Sequence, residues 1–183
     1  MKNFFFICVI TFLIGNGVYS LERTFFTALS PGSTARMIGI GNIEGMSKLS
    51  DNVFQNPASL FQIDRFSVTL FTTTFMEEVL YLNGSFAIRL PYKMGVIGFG
   101  MMDLSVRDIA KTEYTVTAAG DEIYSISNYF DYQNTLYKLS YQLSANEFLH
   151  YGLSGSYYSV KFDTVSGDAY NMDFGLYFNT ENF

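Results

Sequence analysis

The sequence predicts an all-β fold, an antiparallel transmembrane β-barrel wall of about six strands behind an N-terminal hatch segment. Three observations carry this. Aromatic residues make up 18% of the chain and charged residues only 15%, with 19 Phe, 14 Tyr and no Trp. Soluble domains carry about 25% charged residues. From about residue 65 apolar and polar residues alternate with a period of two, the signature of strands with one apolar face. No apolar run after the first 20 residues reaches the roughly 20 residues of a spanning helix. A chain this rich in aromatics and this poor in charge is therefore expected to meet lipid through strands, with aromatic rings at the interface.

Residues 1–20 read as a cleaved signal peptide. Lys2 gives a positive start, Phe4 to Ile14 an apolar stretch, and Val18 and Ser20 the tolerated residues before a cut. Cys8, the only cysteine, falls inside that leader, so the mature chain is expected to have neither a disulfide nor thiol chemistry. The formal charge of −6 becomes about −7 once Lys2 is removed. An acidic chain without a basic block is a poor nucleic-acid partner, because that affinity comes from neutralising phosphates.

Residues 21–64 lack sustained periodicity. Ser30 to Asn42 is glycine-rich and reads as loop and short turns, the expected hatch or plug. Asn56-Pro57 closes it. Proline fixes its own φ and biases the residue before it away from helix, while an Asn side chain bonds nearby backbone in a turn. This join is expected to seat the plug where Phe66 enters the first strand. Loss of the plug is expected to open a lumen and leave the wall standing.

Residues 65–183 form the predicted wall, with strands near 65–75, 80–90, 94–104, 133–143, 149–162 and 169–179. In Tyr81 to Leu90, the face Leu82, Gly84, Phe86, Ile88 opposes Tyr81, Asn83, Ser85, Ala87, Arg89. In the later strands Tyr137, Leu139 and Tyr141 oppose Lys138, Ser140 and Gln142, and Met172, Phe174, Leu176 and Phe178 oppose Asn171, Asp173 and Gly175. The apolar sets are expected to face lipid. Arg89, Lys138 and Lys161 are assigned to the lumen side. Pro91-Tyr92-Lys93 and Ser144 to Glu147 read as tight turns, Thr164 to Asp168 as an intermediate loop, and 105–132 as a long connection. Glu113 to Thr117 and Glu122 to Ile126 flank a turn signal at Ala118 to Asp121, a hairpin that would add two strands.

Nothing points to an enzyme. Gly95, Gly98 and Gly100 lack the helix and downstream acid of a nucleotide-binding turn and read as close-packing glycines in a strand. His150 is the only histidine, and Asp103, Asp108, Asp163 and Asp173 scatter over different strands and loops. No catalytic, cofactor or metal residue is assigned, and no cofactor is expected.

The order Ala35-Arg36-x-x-Gly39-x-Gly41, Asp51, Asn56-Pro57-Ala58-x-Leu60 and then barrel strands resembles the FadL-like outer-membrane proteins. The closest look is to the PorV and PorQ branch and a related uncharacterised spirochaete family. Tyr151 to Ser154 through Lys161, then Asp173 to Tyr177, resembles that branch's paired mid-barrel strands. Ser59 stands where the family commonly has glycine, and Lys48 to Gln55 departs from its small, acidic stretch. The wall resembles only the N-terminal part of such a barrel, so the chain is expected to be a fragment, or to close a minimal barrel with two extra strands at 113–126, or to close one barrel together with other chains. The resemblance implies an outer-membrane location and uptake of hydrophobic small molecules such as long-chain fatty acids. Phe25, Phe26, Met37, Ile38, Ile40 and Met46 would then contact the ligand. The PorV likeness implies instead a non-transporting surface scaffold or secretion-system partner. Its partners would be outer-membrane lipid and other outer-membrane or secretion proteins, with no nucleic acid. A truncated, non-functional product and a soluble lipocalin-type binder are the remaining alternatives.

Overall fold

The computed structural model describes residues 32–41, 43, 47–116 and 122–179. The predicted signal peptide, Phe25, Phe26, Met46 and the 118–121 turn lie outside the described residues. Helix α1 (Ala35–Gly39) is a single turn whose start is capped by the Thr34 side chain. Two 3-10 helices follow, Ser50–Phe54 and Pro57–Gln62. The rest is sheet: β1 (Phe66–Phe75), β2 (Val79–Arg89), β3 (Val96–Val116), β4 (Glu122–Ser144), β5 (Leu149–Phe162) and β6 (Val165–Phe178).

These six strands form one antiparallel sheet in sequence order, β1 to β6, and among the described residues β1 and β6 do not pair. The strand sequences explain themselves. Phe66-Ser67-Val68-Thr69-Leu70 and its continuation are β-branched and aromatic residues, which suit a pleated surface. Tight turns are built from backbone geometry that the residue types conceal. Tyr92 and Lys93 both take positive φ, and the Met94 amide donates to the Pro91 carbonyl at 3.1 Å. That is the hairpin turn usually marked by Asn-Gly. Gly95, at φ +93, follows it, and a Cβ there would strike the Gln142 carbonyl.

Three expectations about connections are corrected. The segment 105–132 is not a long loop, nor does 113–126 add two strands to close a small barrel. It is the continuation of β3 and β4, which stay paired from Val96↔Gln142 to Val116↔Glu122 across two register shifts. Thr164 to Asp168 is not a loop either: β5 and β6 turn at Asp163–Thr164, and Ser166, Gly167 and Asp168 are already paired. The expected asymmetry therefore lies in strand length, not loop length. Polar residues on both faces read as loop in a sequence, yet a paired ladder satisfies the backbone whatever the side chains.

The two faces of the sheet differ sharply. One is covered by residues 47–63; the other is open. Tyr81, Asn83, Ser85 and Ala87 are buried on the covered face, while Leu82, Phe86 and Ile88 are exposed on the open one. The same phase continues through β4, with Lys138, Ser140 and Gln142 buried and Tyr137, Leu139 and Tyr141 exposed. Lys161 is the exception to the expected assignment. It pairs with Gln133 and Ser166, in phase with Leu153 and Tyr157, so it stands on the open face. Arg89 and Lys138 lie on the covered face as expected.

The covering segment sits on glycines. A Cβ at Gly98 would run into Val53, one at Gly100 into the Phe54 ring, one at Gly152 into Pro57 and Ala58, and one at Gly175 into Asn56. Gly155, on the open face of β5, has nothing near it. Gly100→Ala is expected to cost about 1–3 kcal/mol by overpacking, while Gly155→Ala stays within about 0.5 kcal/mol. Urea unfolding of the two variants in the same detergent micelle measures this. Equal shifts would mean that residues 47–63 do not rest on the sheet in solution.

Candidate functional site: the covered face of the sheet

The chain from Ser47 to Ile63 crosses every strand, and each crossing has its own chemistry. Asp51 is buried and accepts from Ser33 at 3.3 Å and from Ser47, which ties the α1 lead-in to the first 3-10 helix. The Asn52 amide donates to the Ser47 carbonyl at 2.8 Å. Ser50 fastens this helix to the first two strands: its amide donates to Ser67 Oγ at 3.0 Å, its hydroxyl to Thr69 Oγ1 at 2.9 Å, and Ser85 donates to it at 3.0 Å. Val53 and Phe54 then enter the spaces over Gly98 and Gly100 on β3. Ser140 on β4 donates to the Val53 carbonyl at 3.4 Å.

Asn56 does two things. Its Oδ1 accepts from the Ala58 amide at 3.0 Å and so caps the second 3-10 helix, where Pro57 takes the first position. Its Nδ2 donates to the Leu176 carbonyl of β6 at 3.0 Å. The expectation that Asn-Pro seats the chain where it enters the first strand is corrected. A full 3-10 helix intervenes, and the join is to the far strand, β6. The segment returns to β2 through Arg89, whose guanidinium donates to the Ile63 carbonyl at 2.7 Å and to the Phe61 carbonyl. Phe61 stacks on His150, ring centroids 3.7 Å apart, and His150 Nδ1 shares a hydrogen bond with Ser144 Oγ at 2.7 Å. His150 is thus held in packing, between a ring and a hydroxyl.

Beneath this segment the sheet is polar in its middle rows and apolar above. Lys138 Nζ meets Asp173 Oδ2 at 2.7 Å, with the lysine almost fully buried and the carboxylate about a third exposed. Ser154, at 3.2 Å, and Asn171, at 2.6 Å, also donate to Asp173. One row up, Phe54, Tyr81, Met102, Leu136 and Tyr158 form an apolar cluster with Phe71, Phe75 and Leu104 half-buried at its rim. Tyr81 donates its hydroxyl to the Gly32 carbonyl at 2.9 Å, which brings the α1 lead-in to this cluster.

The predicted site residues separate into groups. Asp51, Asn56, Pro57, Ala58 and Leu60 come together on the covered face. Ala35, Arg36, Gly39 and Gly41 do not; they are exposed on and after α1. Of the six candidate ligand contacts, Met37 is fully buried, and Ile38 and Ile40 are half-buried. A cavity of about 260 Å³ beside β1 is lined by Ala35, Arg36, Asp51 and Phe71, without Met37, Ile38 or Ile40. Sequence reasoning missed which glycines meet which side chains. A partial signal was their phase: Gly152 and Gly175 share the polar phase of β5 and β6, and Gly84 and Gly155 lie in apolar phases. Gly98 and Gly100 fall in line with Val96, Met102 and Leu104, so nothing in β3 marked them.

Beyond the sheet's middle rows, Lys111 on the β3 extension pairs with Asp163 at 2.8 Å. The hydrogen bond to that carboxylate and its charge hold the Lys111 ammonium above the ordinary lysine pKa. Among the described residues no group of His, Cys, Asp and Glu is arranged to hold a metal ion. A comparison with protein families, curated proteins and solved structures finds no match for the chain.

The fit of Val53 to Ala58 over four glycines bears on the expected removable plug. A loose plug leaves no imprint on its wall, whereas these strands carry glycine at four places where the segment lies. Removing it would uncover Lys138, Gln142 and the apolar cluster together. The Lys138–Asp173 pair offers a test on two side chains. Lys138→Met leaves Asp173 without its cation and is expected to cost about 1–3 kcal/mol, below the figure for a fully buried pair because Asp173 keeps some solvent. Lys138→Met with Asp173→Asn should recover most of that loss. A double-mutant cycle by urea unfolding reads the coupling, and additive losses would show that the pair does not interact.

Proposed function

We propose that the chain is the wall of a FadL-like outer-membrane β-barrel that admits hydrophobic small molecules, with residues 47–63 as the fixed part of its hatch. The observation that carries this reading is the inversion of the sheet. Its covered face holds Lys138, Asp173, Ser140, Ser154, Ser156 and Gln142, and its open face holds Phe86, Ile88, Ile97, Phe99, Leu139, Leu153, Met172 and Phe174. A water-soluble sheet hides its apolar face; a wall in lipid displays it.

The edges of that apolar band support the same reading. Along one side run Tyr137, Tyr157 and Tyr170, neighbours in register, with ring centroids 6.4 and 5.1 Å apart. Tyr157 donates to Asp168 at 2.8 Å, away from the band. On the other side Tyr141 donates to the Met94 carbonyl at 2.7 Å, toward the short turns, with Tyr151 nearby on β5. Aromatic rows flanking an apolar band are the girdles of membrane barrels. From Tyr170 to Phe178 the band runs about 27 Å along β6 at ~3.4 Å per residue. A strand tilted by about 40° thus covers about 20 Å of depth, close to the ~25 Å apolar band of such barrels. No helix among the described residues is long and apolar enough to cross a membrane.

Uptake is supported by the apolar cluster with Phe71, Phe75 and Leu104 at its rim, a surface suited to an acyl chain. A scaffold reading has its own observation. The β3–β4 arm runs past the apolar band and carries exposed Tyr114, Tyr124 and Tyr129, a residue type enriched in protein contact surfaces.

Two measurements test the proposal. Leu139→Arg, in mid-band, is expected to cost about 2–4 kcal/mol for insertion into liposomes, and Thr72→Arg, at the band's edge, about 0–1 kcal/mol. In a soluble protein the exposed Leu139 would accept arginine within about 0.5 kcal/mol, so indifference at both positions removes the membrane reading. For cargo, liposomes bearing the protein should take up a fluorescent long-chain fatty acid several-fold faster than empty ones. Leu104→Glu should abolish the gain. Insertion without any gain, together with co-purification of a larger complex, would favour the scaffold.

A further inference from the structure

At the short-turn end of the sheet the β2–β3 turn, the β4–β5 turn and Phe61 enclose a cavity of about 390 Å³. Arg89 enters it from the end of β2, Lys93 from the first turn, Asn146 from the second and His150 from β5. Each of these side chains keeps a donor in hand. Arg89 gives Nε and Nη2 to the Ile63 and Phe61 carbonyls, and Nη1 has no partner among the described residues. Lys93 makes no ion pair among them. Asn146 uses Oδ1 in its own turn, accepting from the Phe148 amide at 2.9 Å and the Leu149 amide at 2.7 Å, so Nδ2 is left as a donor. His150 is only 5% exposed, and its Nε2 has no hydrogen-bond partner among the described residues. Its Nδ1 meets Ser144 Oγ, which accepts from Gln142 at 2.9 Å. The hydroxyl proton is then free for Nδ1, which puts the ring proton on Nε2. A buried donor without a partner is costly and calls for an acceptor.

From these groups we infer that the cavity binds a phosphate group, with Arg89 and Lys93 as its counter-charges and His150 as its buried donor. The inference does not depend on what the wall admits.

Charge favours an anion. The cavity sets Arg89 and Lys93 against one carboxylate, Glu147, and that carboxylate pairs with neither. Two unpaired cations side by side stand out in a chain of formal charge −6. The spread of donors favours phosphate over a carboxylate. A carboxylate is best met by the planar two-donor fork of an arginine, and Arg89 has already given one edge of its guanidinium to backbone carbonyls. The remaining donors come from separate elements, which suits a tetrahedral group with three strong acceptor oxygens. These donors are also held before any ligand arrives. Arg89 is fixed by its two carbonyls, and His150 by Phe61 stacked at 3.7 Å and by Ser144. Such preorganisation lowers the cost of binding. The cavity is larger than a bare phosphate ion, so it leaves room for an attached group. Inorganic phosphate, a soluble phosphate ester and a phospholipid headgroup share the chemistry that these residues recognise.

Equilibrium dialysis tests this, with the full chain in a phosphate-free detergent and radiolabelled inorganic phosphate at constant ionic strength. Saturable binding is expected, with acetate competing at least about tenfold less well than unlabelled phosphate. Lys93→Gln and His150→Gln should each weaken binding about tenfold by removing a charge-assisted or buried donor. Lys93 stands on an exposed turn, so its variant carries the test should the His150 variant fold poorly. Lys111→Gln, toward the far end of β3, should change binding less than about twofold, because screening leaves little effect at that range. Glycerol phosphate and a short-chain phosphatidylglycerol then serve as competitors. Stronger displacement by the first marks a soluble ester as the source, and by the second a lipid headgroup; displacement by neither beyond unlabelled phosphate marks the free ion. All three agree with the inference. It is overturned if the folded chain shows no saturable phosphate binding, or if acetate competes as well as phosphate. It is also overturned if Lys93→Gln leaves binding unchanged, or if Lys111→Gln weakens it as much as Lys93→Gln does.

Discussion

Four missing side chains organise this structure. Gly98, Gly100, Gly152 and Gly175 leave a shallow track across β3, β5 and β6, and Val53, Phe54, Asn56, Pro57 and Ala58 lie in it. A protein interior packs at crystal-like density, so a path for a backbone has to be left open by the wall. Everything on the covered face follows from that approach. It brings the Val53 carbonyl to Ser140, Asn56 to the Leu176 carbonyl, and Phe61 onto His150. It also seals Lys138 from solvent, and the buried ammonium is tolerable because Asp173 stands 2.7 Å away with its own donors.

The covering segment and the strands are consequently one construction. The first 3-10 helix is fastened by serine hydroxyls to β1 and β2, the second by one Asn side chain to β6, and Arg89 draws its end back to β2. Bonds at both ends of the sheet restrict how the outer strands can splay. Because the crossing bonds the strands mostly through side chains, the ladder from β1 through β6 keeps its own bonds. The same architecture therefore explains a firmly filled face.

The open face has a different composition. Its Phe, Leu, Ile and Met residues are bounded by tyrosines whose hydroxyls reach outward to Asp168 on one side and to the Met94 carbonyl on the other. Past the tyrosine row the residues change to Asp103, Gln133, Thr135, Ser159 and Lys161, and the Gln133 and Thr135 side chains both donate to Asp103. Under the proposed function this change marks where lipid gives way to water, and the long β3–β4 arm continues into the water.

Period-two alternation by itself determined the strands and their two faces, because a strand's side chains alternate without regard to what surrounds it. Tyr81 to Arg89 and Tyr137 to Gln142 could be divided into their faces by counting alone. Composition likewise marked the apolar set as the one to be shown. The length of β3 and β4, the turn at Asp163–Thr164 and the face of Lys161 were decided by pairing. Ladder bonds hold polar residues in a strand that their chemistry alone would assign to a loop. Only the tertiary structure could decide that Asn56 reaches β6, 120 residues away, and that four glycines on three strands form one track. Close approach depends on distances between strands distant in sequence, and a glycine carries no mark of the side chain that will fill its space.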